Sequence, residues 1–447
     1  MQRSRAPESH QEAVRRLQAS YRAVPDGVPV RLAKRTSNLF RARTPTGAPG
    51  LDVSELTGVL HVDPEARTAD VEGMCTYEHL VAATLPLGLA PLVVPQLKTI
   101  TLGGAVSGLG IESTSFRNGL PHESVLELDV LTGTGEIVTT KPGEDLFTGF
   151  PNSYGTLGYA TRLRIELEPV RPAVALRHVR FDDLGSLCAA VERIVDGRVW
   201  DGERVDYLDG VVFTATEAYL TLGTKAEHRG PTSDYTGKRI YYRSLRQRST
   251  DTLTIHDYLW RWDTDWFWCS RAFGAQHPIV RRLWPRRLRR SDVYWRLVAL
   301  DRRFGISERR GPPQERVVQD VEIPLDRTAE FLHWFLDHVP IEPVWLCPLR
   351  LRGEDRWPLY PLEPGRTYVN VGFWSAVPAS GVEGAANREI ETAVTACGGH
   401  KSLYSDTFYA REEFDRRYGG STYAALKERY DPDGRLLDLY AKVVRGR

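Results

Sequence analysis

A run of small residues in the first third of the chain has the composition of a phosphate-binding segment. The sequence TLGGAVSGLGIES spans residues 101–113 and holds four glycines, at positions 103, 104, 108 and 110. Glycine allows positive φ and leaves backbone N–H donors unshielded, so a chain can wrap closely around a phosphate. The spacing fits neither the P-loop nor a GxGxxG turn that opens a helix. A glycine loop without a ligand is the alternative.

An earlier polar turn suits the same ligand. Residues 31–41, RLAKRTSNLFR, follow a short predicted strand and place Thr36, Ser37 and Asn38 in one turn. Small polar side chains there can donate to a pyrophosphate. A solvated basic turn is the alternative interpretation.

A third segment lies directly before an alternating strand. Residues 152–158, NSYGTLG, hold Gly155 and Gly158 on either side of Thr156 and Leu157. Glycines at these positions permit the close approach of a flat ring or an adenosine. An ordinary turn at the start of a strand explains the same residues.

The elements that must position these segments can be predicted from hydrophobic periodicity. Residues 51–85 indicate two strands joined at Asp63–Pro64 and then a helix with Thr76 as its N-cap. ESVLELDVLT and GEIVTT form two strands around a glycine turn, and residues 159–170 alternate as a half-exposed strand. The middle of the chain predicts a strand and helix, a hairpin and three further strands, VVQDVEIPL, EPVWLCPLRL and RTYVNVGFW. Two helical pieces follow from about residue 401. The pattern predicts an α+β fold.

Length and composition are those of an ordinary folded protein with two domains. The chain has 447 residues, 41% hydrophobic and 26% charged, with a net charge of +1, so nothing global indicates nucleic acid. The five cysteines are scattered, with no CxxC pair, and therefore predict neither a disulfide framework nor a zinc site. No stretch reaches the roughly 20 apolar residues of a membrane-spanning helix, and the polar N-terminus is not a signal peptide. We expect a cytoplasmic protein.

The three segments, in this order, resemble the vanillyl-alcohol-oxidase superfamily, and within it most closely the delta-24 sterol reductases. That family carries a TVGG–GTGIES loop, a KYGL-like segment and a GTLG strand start, which correspond here to residues 101–113, 117–120 and 155–158. The likeness continues through VVQDVEIP, WLCP and LYSDTFYAREEF and covers about residues 30–430. The resemblance implies an FAD-binding domain of the para-cresol methylhydroxylase type over 1–172, a cap over 173–400 that covers the substrate, and a C-terminal segment, 401–447, that returns to the FAD domain.

The same resemblance implies the cofactor site. FAD is expected to be non-covalent, because the first phosphate loop reads Arg35-Thr36-Ser37-Asn38 without a histidine. NADPH is a candidate electron donor, although no nucleotide fingerprint for it is visible. The predicted FAD contacts are Thr36, Ser37, Asn38, Thr101, Leu102, Gly103, Gly104, Ala105, Val106, Ser107, Gly108, Leu109, Gly110, Ile111, Glu112, Ser113, Gly155, Thr156 and Gly158.

Reduction of an unactivated alkene by a flavin needs a proton donor in a dry, aromatic pocket. The candidate donors are Glu112, Tyr404, Asp406 and Tyr409, and a carboxyl among them must be buried to stay protonated. Arg411 can bind a carboxylate or substrate, with a surface ion pair as the alternative. Trp345, Phe373 and Trp374 are candidates for the pocket wall, with core packing as the alternative.

Residues 257–296 interleave tryptophan with arginine. This composition suits the headgroup layer of an anionic membrane, and a basic loop with tryptophans in the cap core is the alternative. The residues concerned are Trp260, Trp262, Trp266, Trp268, Trp284 and Trp295 with Arg281, Arg282, Arg286, Arg287, Arg289 and Arg290.

Three functions fit the sequence. The leading hypothesis is an FAD-dependent oxidoreductase that reduces a C=C bond of a lipid or sterol-like substrate. The second is an FAD oxidase or dehydrogenase that acts on an alcohol carbon of a sugar, lactone or polyprenyl-linked substrate. The third is a non-catalytic protein that binds a flavin or a lipid.

Overall fold

The N-terminal region is built around an antiparallel sheet. The computed structural model describes residues 7–34, 40–41, 50–227, 229–304 and 312–444, so the predicted contacts Thr36, Ser37 and Asn38 lie outside the described residues. The elements up to residue 169 are α1 (Pro7–Arg22), β1 (Arg31–Leu32), β2 (Gly50–Leu51), β3 (Val59–Asp63), β4 (Thr68–Glu72), α2 (Tyr77–Thr84), β5 (Leu89–Pro91), α3 (Leu102–Ser107), α4 (Ser115–Asn118), β6 (Val125–Leu131), β7 (Ile137–Thr140), α5 (Asp145–Gly149) and β8 (Tyr159–Pro169).

The first sheet confirms the strands predicted from alternation. Its order is β3-β4-β8-β6-β7, and β5 pairs with the end of β8. The β3–β4 and β6–β7 pairs are the two predicted hairpins, and Thr76 caps α2 by accepting from the His79 N–H. Helices α2 and α3 pack beside this sheet, so the glycine segment that begins in α3 is held against it.

The second region contains a larger sheet that starts directly after the first. Its elements are β9 (Ala173–Phe181), α6 (Leu184–Gly197), β10 (Val199–Trp200), β11 (Glu203–Arg204), β12 (Tyr207–Thr214), β13 (Glu217–Ala226), α7 (Tyr241–Ser244), β14 (Thr250–Thr254), α8 (Ile255–Leu259), α9 (Pro278–Leu283), α10 (Ser291–Phe304), β15 (Gln314–Pro324), α11 (Leu325–His338), β16 (Val344–Arg350), β17 (Thr367–Pro378), α12 (Ala385–Ala396) and β18 (His400–Lys401).

Eight strands form the second sheet, in the order β14-β9-β13-β12-β16-β17-β15-β18, with every pair antiparallel. Helices α6, α11 and α12 cover one face, where Ile194, Phe335 and Ile390 pack against strand residues such as Phe373. Because side chains alternate along a strand, Trp374 points to the opposite face, where it packs with the aromatic residues of 258–268. The predicted α+β architecture is confirmed.

The C-terminal helices lie against the first sheet region. They are α13 (Arg411–Arg417), α14 (Gly420–Tyr430) and α15 (Leu439–Val443). The Lys427 ammonium donates to the Thr156 carbonyl over 2.9 Å, and the Tyr430 hydroxyl donates to Asp145 over 2.7 Å. The chain passes from the first sheet to the second between Pro169 and Ala173. The finer limits 1–172, 173–400 and 401–447 stay a prediction.

The structure corrects one expectation about 257–296. Trp260, Trp262, Trp266 and Trp268 are buried in the protein core, and Trp284 and Trp295 are half-buried. The tryptophans therefore do not form a membrane-facing layer, since their rings already pack against one another and against the second sheet. Among the described residues, no helix is both long and apolar enough to cross a membrane.

Candidate functional site

A cavity of about 1050 Å³ lies between the two sheets and the C-terminal helices. One part is lined by the glycine segment, which includes Thr101, Gly103, Gly104, Ser107, Gly108, Leu109, Gly110 and Ile111. The other part is lined by aromatic residues of the second sheet and its loops, Trp266, Phe267, Trp345 and Trp374, with Phe40 from the N-terminal region. We call these two parts the glycine end and the aromatic end. The volume lies at the upper end of the range of about 300–1,000 Å³ typical of small-molecule pockets.

The glycines do not act as the sequence suggested. None of the four has positive φ, and Gly103 and Gly104 lie in the first turn of α3. A Cβ on Gly103 would lie 2.7 Å from the Gly73 carbonyl oxygen, and one on Gly110 would lie 2.9 Å from Pro95 and Pro121. The glycines therefore let backbone and ring atoms approach closely.

The backbone donors of the first turn are also already used. The N–H groups of Leu102 and Gly103 donate to the carbonyls of Cys75 and Gly73, each over 2.9 Å. The Gly104 N–H donates to Thr101 Oγ1 over 3.2 Å. These amides are satisfied inside the protein and cannot serve a ligand as unshielded donors.

The next three residues are different. Leu109, Gly110 and Ile111 line the cavity in a stretch without regular structure, and their N–H groups have no hydrogen-bond acceptor among the described residues. Backbone amides that border a cavity and have no acceptor in the protein can form a donor set for an anion such as a diphosphate. The amides without a hydrogen-bond acceptor thus lie after α3, and not at the paired glycines.

The charges around the cavity also favour an anionic ligand. The cationic side chains among the described lining residues are Arg31, Lys34, Arg41 and Lys442, whereas the acidic ones are Asp320 and Asp406. Lys34 Nζ donates to Thr101 Oγ1 over 2.8 Å, which holds its charge beside α3. Arg41 donates to the Leu403 carbonyl, and its guanidinium lies 5.1 Å from the ring centre of Tyr154.

The turn at 152–158 borders the cavity on another side. Asn152, Tyr154 and Gly155 have positive φ, a conformation that costs free energy in the two non-glycine residues. Tyr154 and Gly155 line the cavity, close to Lys442 of α15. Gly158 instead allows contact with β6, because a Cβ there would lie 2.6 Å from the Leu131 carbonyl oxygen. The C-terminal helix α15 and this turn therefore border the same part of the cavity.

At the aromatic end, two rings come from a strained loop. Trp266 and Phe267 have φ values of 46° and 57°. Asp265 fixes the loop by accepting from Arg281 Nη1 over 2.5 Å. Phe267 stacks on Trp374 with ring centres 4.2 Å apart. The loop therefore presents flat apolar surfaces to the cavity.

An acid lies among these rings. Tyr404 accepts a hydrogen bond from Trp374 Nε1 over 3.1 Å, and its hydroxyl interacts with Asp320. Burial raises the pKa of Asp320 to about 6, although hydrogen bonds from Asn370 and Tyr404 oppose the increase. Burial likewise raises the pKa of Tyr404 well above its ordinary value. Asp320 and Tyr404 are a carboxyl and a phenol at one position on the cavity wall.

A buried ion network supports this wall from behind. Arg261 Nη2 donates to both Glu112 and Asp209 over 2.8 Å. Asp209 also accepts from the indoles of Trp262 and Trp345 over 3.0 and 3.3 Å. Since Trp345 lines the cavity, the network fixes one of its walls. Burial raises the pKa of Glu112, and the charge of Arg261 opposes that increase.

Several predicted site residues lie away from the cavity. Glu112 is committed to Arg261 rather than to a ligand. Arg411 forms exposed ion pairs with Asp415 and Asp438. Phe373 packs on Phe335 of α11, on the face of the second sheet opposite to Trp374. Tyr409 packs beside Tyr418 and Arg417. The remaining predicted contacts outside the cavity lining are Leu102, Ala105, Val106, Ser113, Thr156 and Gly158.

Other lining residues were missed by the sequence interpretation. Asp320 lies within the quoted motif VVQDVEIP, and a carboxyl in a predicted strand rich in valine and isoleucine was a signal that could have found it. Trp266 was noticed only as part of the tryptophan–arginine run, and Phe267 was not singled out. Of the candidate proton donors, the cavity brings together Tyr404 and Asp406.

Known proteins are similar in sequence to the first region of this chain, and some of them to most of the chain. A family model for the FAD binding domain matches residues 2–141. Delta(24)-sterol reductase of Homo sapiens is 25% identical over 408 residues, covering 87% of this chain and 77% of that protein. The Arabidopsis thaliana enzyme of the same name is 25% identical over 437 residues, 89% of this chain and 77% of that protein. This chain is a distant homologue of the Delta(24)-sterol reductases.

A second kind of relative matches a smaller part. Cytokinin dehydrogenase 3 of Oryza sativa subsp. japonica is 35% identical over 211 residues, which are 46% of this chain and 38% of that protein. The FAD binding domain implies FAD as cofactor, and the amides of 109–111 with the nearby cations fit its diphosphate. The sterol reductase homologue is therefore an FAD-binding oxidoreductase.

Proposed function

We propose that the protein reduces a C=C bond of a lipid or sterol-like substrate, with non-covalent FAD and with NADPH as electron donor. The observation that carries this proposal is the aromatic end of the cavity, where Asp320 and Tyr404 lie among apolar rings. The homology to Delta(24)-sterol reductases over 87% of the chain supports the same substrate class.

The glycine end would hold the cofactor. The amides of Leu109, Gly110 and Ile111 and the charges of Lys34 and Arg41 suit the diphosphate. No histidine or cysteine side chain is among the described residues that line the cavity, which supports non-covalent binding. Reduced FAD supplies hydride chemistry when bound.

The residues at the aromatic end would supply the proton. A catalytic acid works best when its pKa is near the working pH, and Asp320, with a pKa of about 6, meets that requirement. Tyr404 would hold the carboxyl in place. Trp345, Trp374 and Phe267 exclude water, and their faces stabilise positive charge on the substrate by about 0.5–2 kcal/mol each. One hydride and one proton then convert C=C to CH–CH.

A second candidate function rests on the same carboxyl. Because a group with a pKa of about 6 is largely ionised at neutral pH, Asp320 can also act as a base toward an alcohol. In that case the protein would oxidise CH–OH and pass electrons to oxygen or a quinone. The choice between C=C reduction and CH–OH oxidation would then depend on the substrate.

The test is anaerobic reduction followed by reoxidation. The purified protein should be yellow, and NADPH should bleach the flavin absorption band in the absence of oxygen. Sterol alkenes should then restore the band and yield the saturated product. Bleaching by an alcohol substrate and not by NADPH would replace the proposal with the oxidase. A protein that takes up no FAD would leave only a binding function.

A further inference from the structure

The arginine-rich segment 278–304 has an inner side that is structural. The segment contains nine arginines and only two acidic residues, both of them aspartates. Arg281 is buried and binds Asp265 and the carbonyls of Tyr235 and Gly237, and Arg289 is buried against the carbonyls of Thr236, Gly237, Arg281 and Trp284. Two of the arginines thus fix the fold of the segment, and Arg290 forms ion pairs with Glu78 and Asp292.

The outer side exposes aliphatic side chains. Ile279 and Leu283 lie one turn apart on α9 and are 66% and 77% exposed, and Leu288 in the next turn is 39% exposed. Residues four apart on a helix share one face. Exposed apolar residues grouped in this way mark an interaction surface more often than isolated ones do.

Positive charge lies between and beside these side chains. Arg282, Arg286 and Arg287 are exposed. Arg286 pairs with Asp234 over 2.9 Å, whereas Arg282 and Arg287 form no ion pair with any described residue. Aliphatic side chains flanked by arginines match a bilayer surface, where apolar groups enter the acyl boundary and cations meet lipid phosphates.

The inner side of the same segment packs against residues that line the cavity. Trp295 of α10 packs on Phe40 and Trp266, with ring centres 4.7 and 5.2 Å away, and both of those residues line the cavity. We propose that Ile279, Leu283 and Leu288, with Arg282 and Arg287, form a docking surface for an anionic lipid bilayer. The idea that the bilayer also supplies a dissolved substrate to the cavity rests on the proposed function. Binding to the bilayer itself does not rest on it.

A bilayer fits this surface better than a protein partner does. A protein interface of standard size needs roughly 20–30 residues on each side, far more than three aliphatic side chains and the arginines around them. Shallow insertion into a bilayer needs only a few such side chains, supported by attraction to anionic lipid. A second copy of the chain is therefore the competing outcome to be measured.

The experiment is vesicle co-sedimentation of the full-length protein without substrate or NADPH. Vesicles of phosphatidylcholine alone are compared with vesicles that contain phosphatidylglycerol as well. We expect the wild type to bind the anionic vesicles at least tenfold more tightly, with affinity falling as salt increases. Ile279→Ser with Leu283→Ser, and separately Arg282→Glu with Arg287→Glu, should each weaken that binding at least tenfold.

Matched controls keep the test specific. Val199→Ser with Val382→Ser removes two exposed aliphatic side chains elsewhere, and Arg15→Glu with Arg356→Glu reverses two exposed charges elsewhere; both should bind like the wild type. Wild-type protein that ignores anionic vesicles, or controls that lose binding equally, would overturn the proposal. The proposal would also be overturned if the wild type formed a dimer in sedimentation velocity and did not bind vesicles, while Leu283→Ser was a monomer. FAD content and turnover are not read in this experiment, so its failure is distinct from failure of the proposed function.

Discussion

The two ends of the cavity are formed by different kinds of group, local backbone at one end and distant side chains at the other. The glycine end consists largely of backbone from one short stretch, residues 101–111, whose amides and small side chains come from neighbours in sequence. The aromatic end consists of side chains from positions 40, 266–267, 320, 345, 374 and 404. Three of these positions lie on the neighbouring strands β16, β17 and β15, and the others come from loops that pack against those strands.

This difference has consequences for how each end responds to change. A site made of local backbone depends on the absence of side chains, so adding a methyl group damages it. A site made of distant side chains depends on the network that holds them, so removing one buried partner damages it. Four predictions test this contrast, beginning with the largest effect.

Arg261→Met should lower the free energy of unfolding by about 3–5 kcal/mol, because it leaves Glu112 and Asp209 buried without their cation. Urea denaturation of the two proteins measures the difference. Arg356→Met, at an exposed position, should change stability by no more than about 0.5 kcal/mol. Equal stability of Arg261→Met and wild type would mean that the network does not hold the aromatic end.

Asp320→Asn should change how stability depends on pH. The carboxyl has a pKa of about 6 in the folded protein, above its ordinary value, so between about pH 4 and pH 6 the unfolded chain releases the proton first. Wild-type stability should therefore fall relative to the Asn variant as pH rises through that window, by about 3 kcal/mol in total. Unfolding measured at pH 4 and pH 7 checks this. A constant difference would show that Asp320 has an ordinary pKa.

The same Asp320→Asn variant should lose about 100-fold in turnover with FAD content unchanged, since general acid catalysis contributes at least this much. Asp406→Asn is the comparison, because Asp406 also lines the cavity; its turnover should fall less than tenfold. Should Asp406→Asn prove the more damaging of the two, the proton donor would have to be reassigned.

Gly104→Val should weaken FAD binding about tenfold, a change of ~1.4 kcal/mol. A Cβ at this position would lie 2.7 Å from Thr101 Oγ1 and 3.3 Å from Lys34 Nζ, so the cation beside α3 must move. Titration of the apoprotein with FAD gives the dissociation constant. Gly353→Val has no atom within 4 Å of the added Cβ and should bind FAD normally. Normal binding by both variants would contradict the role given to this turn.

Local periodicity was sufficient to predict most of the secondary structure. The hairpins β3–β4 and β6–β7, the alternating strand β8 and the Thr76 cap all follow from neighbouring residues. Each depends on side-chain alternation or on a hydrogen bond three residues away, and both are visible in a linear sequence.

The availability of backbone amides in the glycine segment was only partly predictable. The glycine segment was found because its composition is unusual, but its paired glycines proved to start α3 and their amides proved to be satisfied. Whether an N–H is available depends on what the rest of the chain places opposite it. Gly73 and Cys75 supply those acceptors, and no spacing rule joins them to residues 102 and 103.

Short-range patterns were enough to predict the main strands, the α+β class and the segment that borders the glycine end. Tertiary structure alone decided which acids face the cavity. Glu112 and Asp320 are both carboxyls in apolar surroundings, yet one is paired with Arg261 and the other meets Tyr404 on the cavity wall. That outcome depends on partners far away along the chain, 149 residues in the first case, which folding alone brings into contact.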